Sequence, residues 1–433
     1  MTGVRTGIKT GLITNRQVAN LSLIFYFTMP MVRLIIRDVG LPQYEFLLSL
    51  VLTYSLLFIA IAGRTEKIRV LVEFSIIFAV VCSLLSLSLI LHPEYNYWFT
   101  RATYGVMPYV LRPDNGLYVF LFIRLVDDPH DILKDLRICG WIMYLIYVRQ
   151  LMNALKIGYW VIESSKGEEV HFSYSLDYGY NVVFFVLIFL YLAIRYKKKT
   201  DIIGCAAGIA MVLLGGSRGA LVCIGFFLAV YVLIRIMESR NRNFLLLLTV
   251  IAILLAIVLY VPLLTLAAGL LSKMGLSSRS LYKLIDGTIS DANGRSAIWA
   301  AAIRMIKTKP ILGYGAMGTR RIIRKYHIVG YPHQLFLELL AEYGVFIGGA
   351  VIAVIVGGSI RILRMRDIGE WRYVYLIFLS NAMQLMLSYT YWHKHALWSL
   401  LAIAVCIHYY RRQGLERTEA ANGPAWIDER KEL

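Results

Sequence analysis

Long apolar runs follow one another along most of the chain, separated by short polar or basic segments. A membrane-spanning helix needs roughly 17 to 25 such residues, because in lipid every backbone N–H and C=O group must be bonded within the segment. The pattern places twelve spans at residues 18–36, 44–62, 70–91, 105–123, 138–155, 180–195, 202–217, 219–236, 244–263, 335–360, 373–391 and 396–410. It therefore predicts an all-α, polytopic integral membrane protein with about twelve transmembrane helices.

Two of these runs depart from a plain span. The run at 105–123 is interrupted by Arg112, Pro113 and Asp114, which predicts a broken or re-entrant helix. The run at 18–36 follows a basic N-terminal stretch without a small-residue cleavage site. We interpret it as an uncleaved first span.

The composition agrees with this class. Hydrophobic residues make up 58% of the chain and charged residues 17%, with a mean hydropathy of +0.63, which excludes an ordinary soluble domain. All five cysteines fall within or at the ends of apolar segments. The sequence therefore predicts no disulfide and no cysteine-based metal site in the polar loops.

Basic residues concentrate in alternate short loops and at both termini, which predicts that these parts are cytoplasmic. The long segment 264–333 then lies outside, and long translocated loops largely escape the charge rule. It holds eleven basic and two acidic residues, a net charge of +9, which is half of the +18 of the whole chain. We expect a single membrane domain made of spans 1–9 (1–263), this exterior loop, spans 10–12 (334–410) and a disordered cytoplasmic tail (411–433).

Within the exterior loop, residues 291–307 have the pattern of a helix. Its apolar stripe consists of Ile298, Ala302, Met305 and Ile306. Pro310 is expected to end it, and the GYG sequence at 313–315 predicts a tight bend. The simplest interpretation is an amphipathic helix lying on the outer leaflet, and the cationic charge around it suits a phosphate-bearing lipid.

Three motifs in this part of the chain resemble the O-antigen ligase and polysaccharide polymerase superfamily. They are GGSRGA at 215–220, NGRSAIW at 293–299 with KPILGYG at 309–315, and PHQLFLELLAEYG at 332–344. Together they extend over about half the chain, from the seventh span to the tenth. One departure is Gln334, where relatives often carry Asn after the histidine.

The resemblance implies a GT-C-like glycosyltransferase on the outer face of the bacterial inner membrane, with no cofactor, no nucleotide sugar and no obligatory metal. Its donor would be a polyprenyl-diphosphate-linked glycan, and the acceptor would displace the polyprenyl diphosphate with inversion at the anomeric carbon. The acceptor would be a second lipid-linked glycan, as in an O-antigen or capsule polymerase, which we prefer, or a lipid A core sugar, as in a ligase. Membrane lipids and a chain-length regulator are further expected partners, and nucleic acid is not.

Two residues in these motifs are the predicted catalytic pair. Arg218 lies at the tip of a glycine-flanked turn, where a guanidinium can bind diphosphate oxygens bidentately, although an arginine at a helix end also commonly snorkels or stabilises a turn. His333 precedes the tenth span, and Pro332 places it in the first helical turn, where the helix dipole favours the neutral base. An imidazole can then accept the proton of the acceptor hydroxyl. The alternative is a structural interfacial histidine.

Three further residues are predicted to bind substrate. Arg149 is a charge within the fifth span, where it either faces a cavity or pairs with Glu73. Arg295 is either a second diphosphate contact or a cap of the loop helix. Gln334 retains an amide that can hydrogen-bond to a ligand.

Other features leave alternatives open. The aromatic residues Tyr389, Tyr391 and Trp392 are typical of an interfacial belt and could also stack on sugars, and His393 and His395 lack a third metal ligand nearby. A flippase or other transporter of lipid-linked glycans would also be polytopic and basic. Transporters usually show internal repeats, and none is visible here. A scaffold of an export complex is the third class.

Overall fold

The computed structural model describes residues 14–62, 64–101, 105–163, 169–172, 175–273, 282, 285, 295–326 and 330–421. The described part is helical except for turns and a two-stranded antiparallel hairpin, in which Trp160 pairs with Phe172. The strands are β1 (Trp160–Glu163) and β2 (Glu169–Phe172).

The helices in chain order are α1 (Asn15–Phe27), α2 (Met29–Asp38), α3 (Glu45–Ala62), α4 (Ile68–Leu91), α5 (Asn96–Thr100), α6 (Val119–Val126), α7 (Pro129–Ile157), α8 (Leu176–Tyr196), α9 (Lys199–Gly215), α10 (Arg218–Glu238), α11 (Arg242–Lys273), α12 (Arg295–Thr308), α13 (Thr319–Ile323), α14 (Leu335–Tyr343), α15 (Gly349–Arg364), α16 (Trp371–Ala382), α17 (Gln384–Leu387) and α18 (His395–Ala421).

Each of the twelve predicted spans contains helix, and the all-α membrane class is confirmed. The count of twelve is not confirmed. Among the described residues, six segments are long and apolar enough to cross a membrane unaided, or seven if the bent pair α1 and α2 is one span. The six are Pro42–Ala62, Ile68–Leu91, Pro129–Ile157, Leu176–Tyr196, Arg218–Glu238 and Leu335–Arg364.

The first and fourth predicted spans are both broken. α1 and α2 meet at an angle of 74° at Thr28, whose hydroxyl donates to Ile24 O, and Pro30 follows in the first turn of α2. A single span at 18–36 was therefore too simple, because proline cannot continue the hydrogen-bond ladder of α1. The predicted break near Pro113 is confirmed: a π-helical turn ends at Leu111, and α6 begins only at Val119.

α8 lies at the centre of the bundle, where it packs against α7, α9, α10 and α16. It is the most buried of the six candidate spans. Close approach of α9 depends on a glycine, since a Cβ at Gly204 would lie 2.8 Å from the ring of Phe189. The N-terminal end of α8 lies beside the start of α10, since a Cβ at Gly179 would collide with Ser217, and this matters for the site below.

The apolar stripe of the loop helix α12, which was expected to rest on the outer leaflet, is buried against protein. Its apolar stripe forms a second buried core with α13 and α14, composed of Ile298, Ala301, Ala302, Met305, Ile323 and Ala341. Protein rather than lipid covers the stripe. The sequence could not show this, because the helical period indicates which face is apolar but not what packs on it. The helix ends at Thr308 before Pro310, as predicted, and residues 286–294 lie outside the described part.

Candidate functional site

The loop after α12 is clamped to the C-terminal end of α14. Three backbone hydrogen bonds join the two segments: Tyr314 N to Ala341 O (2.9 Å), Gly315 N to Glu342 O (2.8 Å) and Val345 N to Pro310 O (2.7 Å). The approach needs glycine, since Gly313 has a φ of 67° and a Cβ there would lie 2.5 Å from Glu342 O. The predicted bend at 313–315 is confirmed, and its function is to dock the loop.

Two buried carboxylates lie beneath this loop, and the sequence analysis did not single them out. Glu338 and Glu342 are four residues apart on one face of α14, and both are fully buried. The Glu342 carboxylate accepts three hydrogen bonds, from Tyr391 OH (2.7 Å), Trp392 Nε1 (3.2 Å) and the backbone N–H of Met317 (3.1 Å). It therefore ties α14 to the loop on one side and to the segment before α18 on the other.

Glu338 is bonded more sparsely. Its Oε1 accepts from Thr390 Oγ1 at 2.7 Å, while its Oε2 is buried without a hydrogen-bond partner among the described residues. The charge of Arg320, which is itself 1% exposed, acts on both carboxylates. The signal that could have revealed this pair is two glutamates in an apolar helix, because ionisable groups at membrane depth are functional candidates by default.

The ring of Tyr331 lies between Arg320 and His333 and contacts both side chains. The Arg320 guanidinium lies 4.8 Å from the ring centroid of Tyr331, and that ring lies 4.5 Å from the imidazole of His333. His333 is half-buried and has a left-handed backbone with φ 56°. Trp299 of α12 donates to Pro332 O at 3.2 Å and fixes the preceding residue. Such a conformation in a residue other than glycine often marks a functional position.

His333 lies before the helix rather than in its first turn. α14 begins at Leu335, and Gln334 is the N-cap, whose side-chain oxygen accepts from Leu337 N–H at 2.5 Å. The expected position of His333 was therefore wrong, because Pro332 ends the loop and does not start the helix. The Gln334 oxygen serves the helix N-terminus, so its binding role stays a prediction.

Arg218 is half-buried at the first position of α10, directly after Gly216, which has a φ of 72°, and the buried Ser217. The turn is packed tightly on α8, since a side chain at Gly219 would collide with the hydroxyl of Tyr180. The ring of Tyr180 in turn lies 5.4 Å from that of Tyr389. The turn that carries Arg218 is thus joined to the segment between α17 and α18.

Tyr389 lies among residues that neighbour the predicted groups. It has a φ of 59°, its hydroxyl donates to the Asp177 carboxylate, and its phenol is close enough to Tyr331 for the two to interact electrostatically. Lys394 Nζ lies 4.0 Å from the Tyr389 ring centroid and 3.0 Å from Asp177 Oδ1. Arg295 reaches the neighbouring Ser388, with Nη2 3.5 Å from Oγ. The structure therefore brings the turns carrying Arg218, Arg295 and His333 to one region.

Arg149 is not among the residues that these contacts join. It is exposed on α7, and Glu73 binds Arg124 instead, at 2.9 Å from Glu73 Oε2 to Arg124 Nε. The suggested pairing of Arg149 with Glu73 was wrong. A sequence shows how far along a helix a charged residue lies, but the direction in which its side chain points depends on how that helix packs.

The two histidines near α18 have different surroundings. The His395 ring packs edge-on against Phe27 at 5.8 Å and Phe184 at 5.5 Å, so it is part of the core. Burial and the neighbouring Lys394 lower the pKa of His393 to about 3, which leaves it neutral at physiological pH. Within the described residues, no group of three or more His, Cys, Asp or Glu side chains is arranged to hold a metal.

Comparison with known families bears on this same region. Residues 203–353 match the family model described as O-antigen ligase. The resemblance to the O-antigen ligase and polymerase superfamily is confirmed. The matched segment contains Arg218, Arg295, His333 and both buried glutamates, and it supports a membrane protein of the glycan-transferring ligase and polymerase class. Searches of curated proteins and of solved structures find no match.

Proposed function

We propose that this protein transfers a glycan from a polyprenyl diphosphate to an acceptor hydroxyl on the outer face of the bacterial inner membrane. We further propose that the acceptor is a second lipid-linked glycan, which makes the enzyme an O-antigen or capsular polysaccharide polymerase. The observation that carries the proposal is the convergence of two arginine-bearing turns and a half-buried histidine on Tyr389 and Tyr331, within the segment that matches the O-antigen ligase family.

In the proposed reaction, the acceptor oxygen forms a bond to the anomeric carbon while the bond from that carbon to the diphosphate oxygen breaks. Arg218 and Arg295 stabilise the charge that develops on the departing polyprenyl diphosphate, because charge-assisted bonds to phosphate strengthen as that charge grows. His333 accepts the proton of the acceptor hydroxyl. Attack from the face opposite the leaving group inverts the anomeric configuration.

The buried acids support this arrangement from below. Glu342 binds the backbone of the loop at Met317, and Arg320 is buried on the same loop, where it contacts the Tyr331 ring beside His333. Because a displacement of about 1 Å can cost roughly 10²-fold in rate, such supporting contacts matter for a reaction that depends on positioning.

A ligase that transfers the glycan to lipid A core is the second candidate, and the description of the matching family favours it. Purified protein would be supplied with a lipid-diphosphate oligosaccharide, alone or with lipid A core, and the products separated by size. A ladder of chain lengths without added acceptor indicates the polymerase, and one glycan on core lipid indicates the ligase. Both reactions are expected to persist in EDTA, since arginines supply the charge stabilisation.

The matched variant for the mechanism is His333→Asn. Asparagine tolerates the positive φ of this position, so the backbone is preserved while the base is removed. Absence of transfer to either acceptor, combined with movement of the donor across proteoliposome membranes, would replace the transferase with a flippase. Equal product from the wild type and His333→Asn would remove His333 from the mechanism.

A further inference from the structure

A cavity of about 230 Å³ opens between the C-terminal end of α4 and the loop that joins α12 to α13. We call it the loop cleft. The argument uses six of its lining residues: His92, Glu94, Tyr95, Lys309, Tyr314 and Arg321. It is distinct from the site described above, because Arg320 is buried against Tyr331 while the next residue, Arg321, points toward Glu94 with 3.7 Å between Nη1 and Oε1.

The walls of the cleft are fixed before any ligand binds. Tyr95 OH donates to Tyr314 O at 3.1 Å, and Ser88 Oγ donates to Ala316 O at 2.8 Å, so the end of α4 is joined directly to the loop. Burial raises the pKa of Tyr95 to about 12, which keeps its hydroxyl a neutral donor. A preformed cavity binds more tightly than one that must be ordered by its ligand.

The cleft offers an anion site beside a hydroxyl acceptor. Lys309 and Arg321 supply two positive charges, and the Lys309 ammonium lies 4.8 Å from the Tyr314 ring centroid. Glu94 supplies one carboxylate: a hydrogen bond from its own backbone N–H lowers its pKa, so it is ionised at neutral pH. His92 stacks on Tyr95 with ring centroids 4.9 Å apart, and its Nδ1 lies 3.4 Å from Glu94 Oε1.

This combination favours an acidic sugar over a phosphate alone. A uronic acid presents a carboxylate for the two cations, hydroxyls that can donate to Glu94, and apolar ring C–H groups for the tyrosine. A phosphate group has no hydroxyl to offer Glu94 at neutral pH beyond its acid proton, so it would meet the repulsion of that carboxylate without a compensating hydrogen bond. Arginine also binds a planar carboxylate through two parallel hydrogen bonds.

The cationic surface continues past the cleft. Arg324, one turn beyond Arg321, lies 5.1 Å from the Trp98 ring centroid and 5.7 Å from that of the exposed Tyr97. Arg101 lies over the same Trp98 ring at 5.6 Å. An extended anionic chain can therefore leave the cleft along further cations and aromatic rings.

We propose that the loop cleft is a second glycan subsite, which binds an acidic sugar residue of the glycan away from its reacting end. The inference rests on the proposed function only in taking the ligand to be the glycan substrate. The cleft and the reaction site share the loop between α12 and α14, so a chain held in the cleft would be retained between transfer events.

The test is direct binding, with no donor and no turnover. The full-length protein in nanodiscs of zwitterionic lipid is titrated by calorimetry with a hexasaccharide of alternating glucuronic acid and N-acetylglucosamine, and with a neutral hexasaccharide of N-acetylglucosamine. The acidic chain is expected to bind more tightly, and Lys309→Gln and Arg321→Gln to weaken it by about tenfold each, as for loss of one charge-assisted bond. The matched control is Lys307→Gln, an exposed lysine on α12 outside the cleft.

Equal binding of the two hexasaccharides would overturn the proposal, and so would equal weakening by Lys307→Gln, which would indicate only a diffuse positive field. A third arm repeats the titration in nanodiscs that contain phosphatidylglycerol. The cleft would be assigned to a lipid headgroup if this lipid abolished binding of the acidic sugar and if Lys309→Gln bound phosphatidylglycerol more weakly. The transferase is judged separately. Failed transfer with intact sugar discrimination counts against the proposed function, and intact transfer without discrimination counts against the cleft.

Discussion

Replacing the Glu342 carboxyl group with an amide is expected to destabilise the loop far more than the same change at Glu338. In Glu342→Gln, the amide oxygen can still accept from Tyr391 and Trp392, but the amide nitrogen then faces the N–H of Met317, donor against donor. The alternative amide orientation loses two bonds instead of one. One buried donor left unsatisfied costs about 1–3 kcal/mol.

The comparison with Glu338→Gln isolates the hydrogen bonds from the charge. Both variants replace a fully buried carboxyl group with an amide of similar size, and the charge of Arg320 acts on both positions. At Glu338, however, an amide oxygen keeps the bond from Thr390, and the other position had no hydrogen-bond partner among the described residues. We expect that variant to lose less than about 1 kcal/mol, and Glu342→Ala, which strands all three donors, to lose about 3–9 kcal/mol.

The measurement is the melting temperature of each purified variant in the same detergent, followed by the fluorescence of Trp392 and its neighbours. A domain of 150 to 250 residues shifts by roughly 2–4 °C per kcal/mol, and a chain of 433 residues shifts by less, so the two glutamine variants should differ measurably, with Glu342→Gln melting first. Protease sensitivity of the loop gives a local reading of the same change. If Glu338→Gln were as destabilising as Glu342→Gln, the hydrogen-bond account would be wrong and charge alone would explain the pair.

Two shorter predictions concern the reaction site, and a third concerns the pH dependence of stability. Arg218→Lys keeps the charge but loses the bidentate fork, so turnover should fall by about 10²-fold at equal protein level, and wild-type turnover would reduce Arg218 to a generic charge. His333→Asn should leave donor affinity within a few fold, while turnover falls by about 10²- to 10⁴-fold. The loss of activity at low pH, which the wild type shows as the imidazole is protonated, should disappear in this variant. A loss confined to donor binding would instead place His333 among the diphosphate ligands. The pKa of His393 is about 3 in the folded protein, below the value of about 6.5 in an unfolded chain, so the unfolded state takes up a proton first and stability should decline as pH falls from about 6.5 toward 3. His393→Gln should flatten that decline in melting curves recorded between pH 7 and 4, and an unchanged slope would show that other groups cause it.

Features of the fold that are local in sequence could be predicted, and those that depend on distant partners could not. The apolar runs and the break at Pro113 follow from properties of adjacent residues, as does the bend at 313–315. The docking of that bend on Ala341 joins segments that the sequence does not relate. For the same reason the cover of the α12 stripe was missed. The 74° bend at Thr28 is different, because its cause, Pro30, is local and its signal was present in the sequence.

The candidate site divides in the same way. Arg218 and His333 were found because each belongs to a short motif. The acid pair was overlooked although it lies in one of those motifs, because its hydrogen-bond partners are elsewhere in the chain, at Met317 and at 390–392. Arg149 was selected on depth alone, yet depth does not determine the face on which a side chain lies.

The position of Glu338 and Glu342 helps to hold a loop that is difficult to stabilise because of its high positive charge. A segment with a net charge of +9 repels itself and gains little from surface ion pairs, which are screened by salt. Glu342 on α14 instead accepts a buried hydrogen bond from the Met317 N–H of the loop, and Arg320 is buried close by, so the loop is anchored at a fixed place that is poor in water. Arg320 is thereby committed to the interior of the loop, while Arg295 lies beside Ser388 in the proposed reaction site and Arg321 lies beside Glu94 in the loop cleft.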